Sequence, residues 1–150
     1  MARYLVFAME GTTARARLLE ELAPETCRLV WQTLPLSGPC GHVMLGGTSC
    51  SLNIDPALVA PEENAAGLIH PGDVMFIHYN ARERHGHPEA ESKIYWAYDR
   101  YCAPRTPGKM TPEYPNVFAE FVGDTRDFFA ACARTFLDGR RPLTVAGVQE

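Results

Sequence analysis

No stretch of this 150-residue sequence approaches the ~20 apolar residues in a row that a membrane-crossing helix needs. Its start, Met-Ala-Arg-Tyr-Leu-Val-Phe, has a single charge and too short an apolar run for a secretory leader, which predicts a cytoplasmic protein. Nucleotide-binding and serine-hydrolase signatures are missing: there is no Gly-x-Gly-x-x-Gly, no Gly-Lys-Ser/Thr phosphate loop and no Gly-x-Ser-x-Gly elbow. Cys27, Cys40, Cys50, Cys102 and Cys132 are odd in number and lack Cys-x-x-Cys spacing, so a complete disulfide framework is excluded and buried thiols are expected. A net charge of -4 argues against a broad nucleic-acid or anionic-membrane surface. Repeats, heptads and low-complexity tracts are absent as well. What remains, 46% hydrophobic and 21% charged, suits one globular domain over residues 1–150.

The pattern along the chain predicts a mainly β protein with two helices. Residues 3–9 are apolar, residues 13–20 alternate, and the turn-like Glu10-Gly11-Thr12 between them marks an antiparallel hairpin. Pro24 and Glu25 open a helix over 24–34, in which Cys27, Val30, Trp31 and Leu34 form one stripe over a barrel end. Were Trp31 core, its replacement by Ala would cost about 3–5 kcal/mol. Segments 40–45 and 48–54 flank Gly46-Gly47, and a Pro-punctuated loop covers 55–70. Strands at 74–79 and 93–101 enclose the polar loop 80–92, and a second long loop runs over 103–115. Strand 116–122 precedes a helix from Asp124, as cap, to about Leu137, with Phe128, Cys132 and Phe136 on one face. A last strand spans 142–148. The order β-β-α-β-β-β-β-β-α-β suggests a closed, mostly antiparallel barrel.

Residues 18–31, where Glu20-Glu21 ends a strand and Pro24-Glu25-Thr26 opens a helix, resemble the second strand and first helix of cyclophilins. Residues 116–123 resemble the strand before the second cyclophilin helix. Pro35-Leu36-Ser37-Gly38-Pro39, His42, Glu63-Asn64-Ala65 and Pro71-Gly72-Asp73 are similar to an uncharacterised bacterial family with a cyclophilin-like barrel, over nearly the whole chain. The resemblance implies that closed β-barrel. It does not imply prolyl isomerisation, because the Phe-His-Arg and Gln-Gly-Gly-Asp stretches of the isomerases have no counterpart; Cys40-Gly41-His42-Val43-Met44-Leu45-Gly46-Gly47 stands in that region. Cyclophilin-like barrels also occur in allophanate-hydrolase-like and oxoprolinase-like subunits, which weights amide chemistry among the enzyme readings.

Several side chains are candidates for that chemistry. His42 follows a glycine on an expected strand, and an imidazole there suits general acid–base work; a core or edge histidine bonded to a backbone carbonyl is the plainer reading. His78 and Tyr79 end a strand at the mouth of the polar loop, where alternation lets only one face a given pocket. His85, His87, Glu89 and Glu91 gather ligand-type atoms on a loop without rigid support, so a solvated loop is expected there and no metal. Tyr95 can wall a binding site and donate a phenolic hydrogen bond, with filling of the barrel as the alternative. The resulting expectation is a small-molecule hydrolase of a cyclic or ureido-type amide, or an isomerase. His42 and Glu91 would be catalytic, with Tyr95, Tyr79 and Cys40 binding substrate. No cofactor, nucleic acid or membrane partner is expected, and self-association into a homo-oligomer stays open. The alternative is a non-catalytic ligand-binding or accessory subunit on the same fold.

Overall fold

A computed structural model describes residues 1–84, 86–105 and 111–150. Its strands are β1 (Arg3–Met9), β2 (Thr12–Leu18), β3 (Leu36–His42), β4 (Ser49–Ile54), β5 (Asp73–Tyr79), β6 (Glu91–Ala97), β7 (Asn116–Val122) and β8 (Arg141–Gln149). Helix α1 (Pro24–Thr33) follows β2, and α2 (Arg126–Asp138) follows β7. The strands close in the order β1-β2-β7-β5-β6-β4-β3-β8, every pair antiparallel. The chain therefore folds as a closed eight-stranded β-barrel with two helices, in the element order that the sequence pattern predicts.

Alternation explains the barrel wall. Leu5, Phe7 and Met9 of β1 and Ala14, Ala16 and Leu18 of β2 point inward and are buried, while the residues between them face out. The turn joining these strands places Glu10 at φ 52° and Gly11 at φ 74°, the two left-handed positions of a tight hairpin. Trp96, Phe7 and Phe128 meet at the barrel's centre, with ring centroids 5.0 and 5.8 Å from Phe7. Helix α2 thus seals one end through Phe128, Ala131, Cys132 and Thr135, and α1 packs by Cys27 and Val30.

Four local expectations are corrected. The third strand is 36–42 and not 40–45, because β3 follows β8, with Pro39 opposite Pro142. Two residues lacking an N–H thereby share one rung, and the ladder is interrupted only once. The sixth strand stops at Ala97: Tyr98 N donates to Thr48 O at 3.1 Å, and Tyr101 at φ 66° turns the chain away. Gly47 permits that turn, since a Cβ there would sit 1.8 Å from the Tyr101 carbonyl oxygen. Helix α2 has Thr125 as its cap residue, although the Asp124 carboxylate still accepts from Arg126 N at 3.1 Å. Finally, Trp31 is only half-buried, against Gly147 and beneath the Arg3 guanidinium, and Phe136 is largely exposed.

Candidate functional site

The shortest lateral contact in the barrel lies between β3 and β4. Only Gly41–Ser51 and His42–Cys50 are paired there, against seven pairs between β1 and β8. Where the strands diverge, a cleft of about 520 Å³ opens between residues 37–39 and 51–53, bounded by Phe136 and Arg140. A second cavity of about 310 Å³ lies beside it against β6, lined by Arg84, Lys93, Tyr95 and Glu113. His42, Met44, Ser51 and Arg140 border both.

His42 stands at this junction because it pairs with the inward-facing Cys50, which pairs in turn with Trp96. Its ring is edge-on to Tyr98 and to Phe136 of α2, at 5.5 and 5.0 Å between centroids. Nδ1 lies 2.9 Å from the Val43 carbonyl oxygen and Nε2 2.7 Å from the Tyr98 hydroxyl. A carbonyl only accepts, so Nδ1 carries the proton and the neutral ring's Nε2 accepts from Tyr98. Burial first, then the potential of Cys50, Cys132 and Asp99, pushes the Tyr98 phenol up to about 12.

Beneath the histidine, Cys40, Cys50 and Cys132 form a nest of buried thiols. Cys50 Sγ donates to the Cys132 carbonyl at 3.4 Å and meets Thr135 Oγ1 at 3.4 Å, while Trp96 Nε1 donates to Cys132 Sγ at 3.3 Å. Hydrogen bonding to Cys50, then burial, holds Cys40 far above the ordinary thiol range. Cys40 is fully buried and lines neither cavity, so it has no surface to offer a substrate, contrary to its expected binding role.

Glu91 does not orient His42. His42 is level with Trp96 through Cys50, five residues along β6 from Glu91, roughly 16 Å at strand rise. The carboxylate instead pairs with Arg84, and its other oxygen lies 3.3 Å from His87 Nδ1. Arg84 in turn lies over the Tyr79 ring, 3.9 Å from its centroid. The Tyr79 hydroxyl donates to Glu113, so Tyr79 supports the cavity through Glu113 and does not line it.

Tyr95 lines the second cavity, 2% exposed, and its hydroxyl finds no partner among the described residues. Lys93, two residues earlier on the same face, places Nζ 5.1 Å from the Tyr95 ring centroid and 5.7 Å from that of Tyr79. Burial lowers its ammonium pKa, with Glu113 opposing and Arg84 reinforcing that shift. Among the described residues no three His, Cys, Asp or Glu side chains converge as metal ligands. His85, the first histidine of the 85–91 cluster, lies outside those residues.

Sequence reasoning missed Tyr98, Lys93, Arg84 and Glu113. Lys93 was findable, since alternation puts it on the Tyr95 face. Arg84 and Glu113 sit in loops, where no periodicity announces a direction.

A family model covers this architecture from residue 5 to residue 146. The chain belongs to the family described as "Protein of unknown function (DUF3830)". Solved structures similar to this DUF3830 chain share its fold. McbB in complex with tryptophan superposes with a TM-score of 0.63 at 17% identity, over 96% of this chain and 44% of that one. The Mimivirus cyclophilin gives 0.60 at 12%, over 99% and 90%. A hypothetical protein from Archaeoglobus fulgidus gives 0.56 at 20%, over 97% and 93%. The barrel is therefore cyclophilin-like. In sequence, the DUF3830 chain is 31% identical over 114 residues to an endoribonuclease YbeY of Jannaschia sp. (strain CCS1). The match takes in 75% of this chain but only 64% of that relative's length. No helix among the described residues is long and apolar enough to cross a membrane.

Proposed function

We propose that this protein is a small-molecule enzyme that hydrolyses a C–N bond of a cyclic or ureido-type amide in the paired clefts, with His42 as general acid and base. One observation carries the reading: an imidazole fixed as a single tautomer stands where the two cavities meet, with its basic nitrogen toward a hydroxyl proton. As water adds to the amide carbonyl, Nε2 gives up its hydrogen bond from the Tyr98 hydroxyl, takes a proton from the water and then delivers that proton to the departing nitrogen. The C–N bond breaks, leaving an amine and an acid, carboxylic from a cyclic amide and carbamic from a ureido group. Similarity to a protein named an endoribonuclease supports hydrolysis as a class. The cavity sizes and the net charge of -4 favour a small substrate over a nucleic acid.

A second reading, a ligand-binding or accessory subunit without turnover, is favoured by a different observation. Both His42 nitrogens are already bonded, and no carboxylate approaches the ring among the described residues. Screening cyclic amides and ureido acids for hydrolysis separates the two. On the enzyme reading, His42→Ala lowers turnover by ~10²–10⁴-fold while the melting transition is kept. Saturable binding with no turnover of any amide in the panel leaves the accessory reading in its place.

A further inference from the structure

The cavity against β6 gathers buried donor atoms that meet no acceptor among the described residues. Tyr95 Oη and Arg84 Nε are both buried without a hydrogen-bond partner among the described residues, and both residues line this cavity. Lys93, at the same wall, makes no ion pair among the described residues. A chain with net charge -4 thus concentrates Arg84 and Lys93 around one hollow, with Arg105 and Arg140 at its border. Buried donors without acceptors are costly, and Arg84 and Lys93, 3.9 and 5.7 Å from the Tyr79 ring centroid, repel each other. An occupant that accepts hydrogen bonds and carries negative charge relieves both penalties.

We propose that this cavity is a carboxylate-binding subsite, in which Lys93, Tyr95 Oη and Arg84 Nε hold the anionic end of a small organic acid. Two considerations choose a carboxylate over a phosphate. Glu91 pairs with the Arg84 guanidinium, and Glu113 forms part of the lining, so the net positive charge is too small for a dianion. A carboxylate also offers two oxygens in one plane, one for the Lys93–Tyr95 wall and one for Arg84. The cavity shares its His42 border with the larger cleft, so an acid anchored at Lys93 extends toward the imidazole. That orientation rests on the hydrolase reading above, whereas the anion subsite does not.

Calorimetric titration at low ionic strength tests it, using hydantoic acid (N-carbamoylglycine), succinate, inorganic phosphate and the neutral amide of hydantoic acid. The carboxylates are expected to bind about tenfold or more tightly than phosphate or the amide, and Lys93→Met to lose about that factor. Tyr95→Phe should lose a comparable factor while melting no lower than the unaltered protein, because it removes a hydroxyl that the free protein leaves unpaired. This second variant guards against a Lys93→Met chain that fails to fold. Three results would overturn the subsite: no carboxylate saturating at ~10 mM, phosphate or the amide binding as well as the acids, or Tyr95→Phe binding unchanged. Hydantoic acid that binds but is never hydrolysed leaves the subsite standing and counts against the hydrolase reading alone.

Discussion

At the scale of single residues, burial and partner decide which of two similar side chains carries stability and which carries function. The two tryptophans make the contrast. Trp96 is fully buried, packs on Phe7 and Phe128 and donates Nε1 to Cys132 Sγ, so its loss opens a cavity that the barrel cannot collapse into. Trp96→Ala should cost about 3–5 kcal/mol in urea unfolding. Trp31, the residue to which sequence reasoning attached that figure, lies half-buried on α1 and should cost about 1–3 kcal/mol. Equal losses in the two variants would contradict this assignment. The helical stripe identified a real apolar face, but a stripe does not tell how deep each of its members lies. The same limit applies at the clefts. His42 and Tyr95 were legible because their residue types and neighbours mark them, and the structure places both at a cavity. Tyr98 was not among the candidates. The His42–Tyr98 bond spans 56 positions, and contacts at that separation leave no local pattern.

At the scale of elements, α1 shows a short helix started from a distance. Its cap position is Ala23, which has no side-chain acceptor, so the first amides need one from elsewhere. Glu63 supplies it from the 55–70 loop: Oε1 accepts from Glu25 N at 3.1 Å, and Oε2 from Thr26 N and Thr26 Oγ1 at 2.9 Å each. Asn116 completes the clip by donating to Thr26 Oγ1 and to the Pro61 carbonyl. The Glu63-Asn64-Ala65 segment that carries part of the family resemblance is thus a structural fastener. Although desolvation opposes it, the Thr26 and Glu25 amides hold the Glu63 carboxyl below the usual range. A depressed acid contributes stability above its unfolded pKa of ~4.3 and loses it as pH falls through the folded value. Glu63→Ala should therefore cost about 0.5–2 kcal/mol at neutral pH, judged from helix caps in general. Its deficit against the unaltered protein should shrink below pH ~4. A deficit that is constant with pH would mean the carboxylate is not the cap. Element identity was readable along the chain because periods of two and 3.6 residues are local. The ends of β3 and β6 were not, since the extent of β3 depends on its pairing with β8 and the end of β6 on Thr48 of the 43–48 turn.

At the scale of the whole molecule, the barrel concentrates its irregularity in one seam, and the candidate site lies there. Eight strands closed by long ladders, seven pairs in β1–β8 and six in β4–β6, form a stiff wall around an aromatic core. The two-pair β3–β4 contact is its one short joint, flanked by the cleft and bridged at its upper end by His42. This division is a physical necessity, because a closed, fully paired barrel of this size fills its interior with side chains and leaves room for a ligand only where a ladder stops. Stability should follow the same division. Native-state hydrogen exchange should show the amides of β1, β8 and β6 opening only with global unfolding, whereas β3 amides turned toward β4 exchange through smaller local openings. An organic acid in the cavity against β6 stabilises only conformations in which Ser51 and His42 keep their places at its border. Saturating hydantoic acid should therefore slow exchange along β3 and β4 and leave β1 and β8 unchanged. Uniform protection around the barrel in the free protein would show that the seam is as firmly closed as the rest, and the clefts would then lose their claim to be the place where the fold admits a ligand.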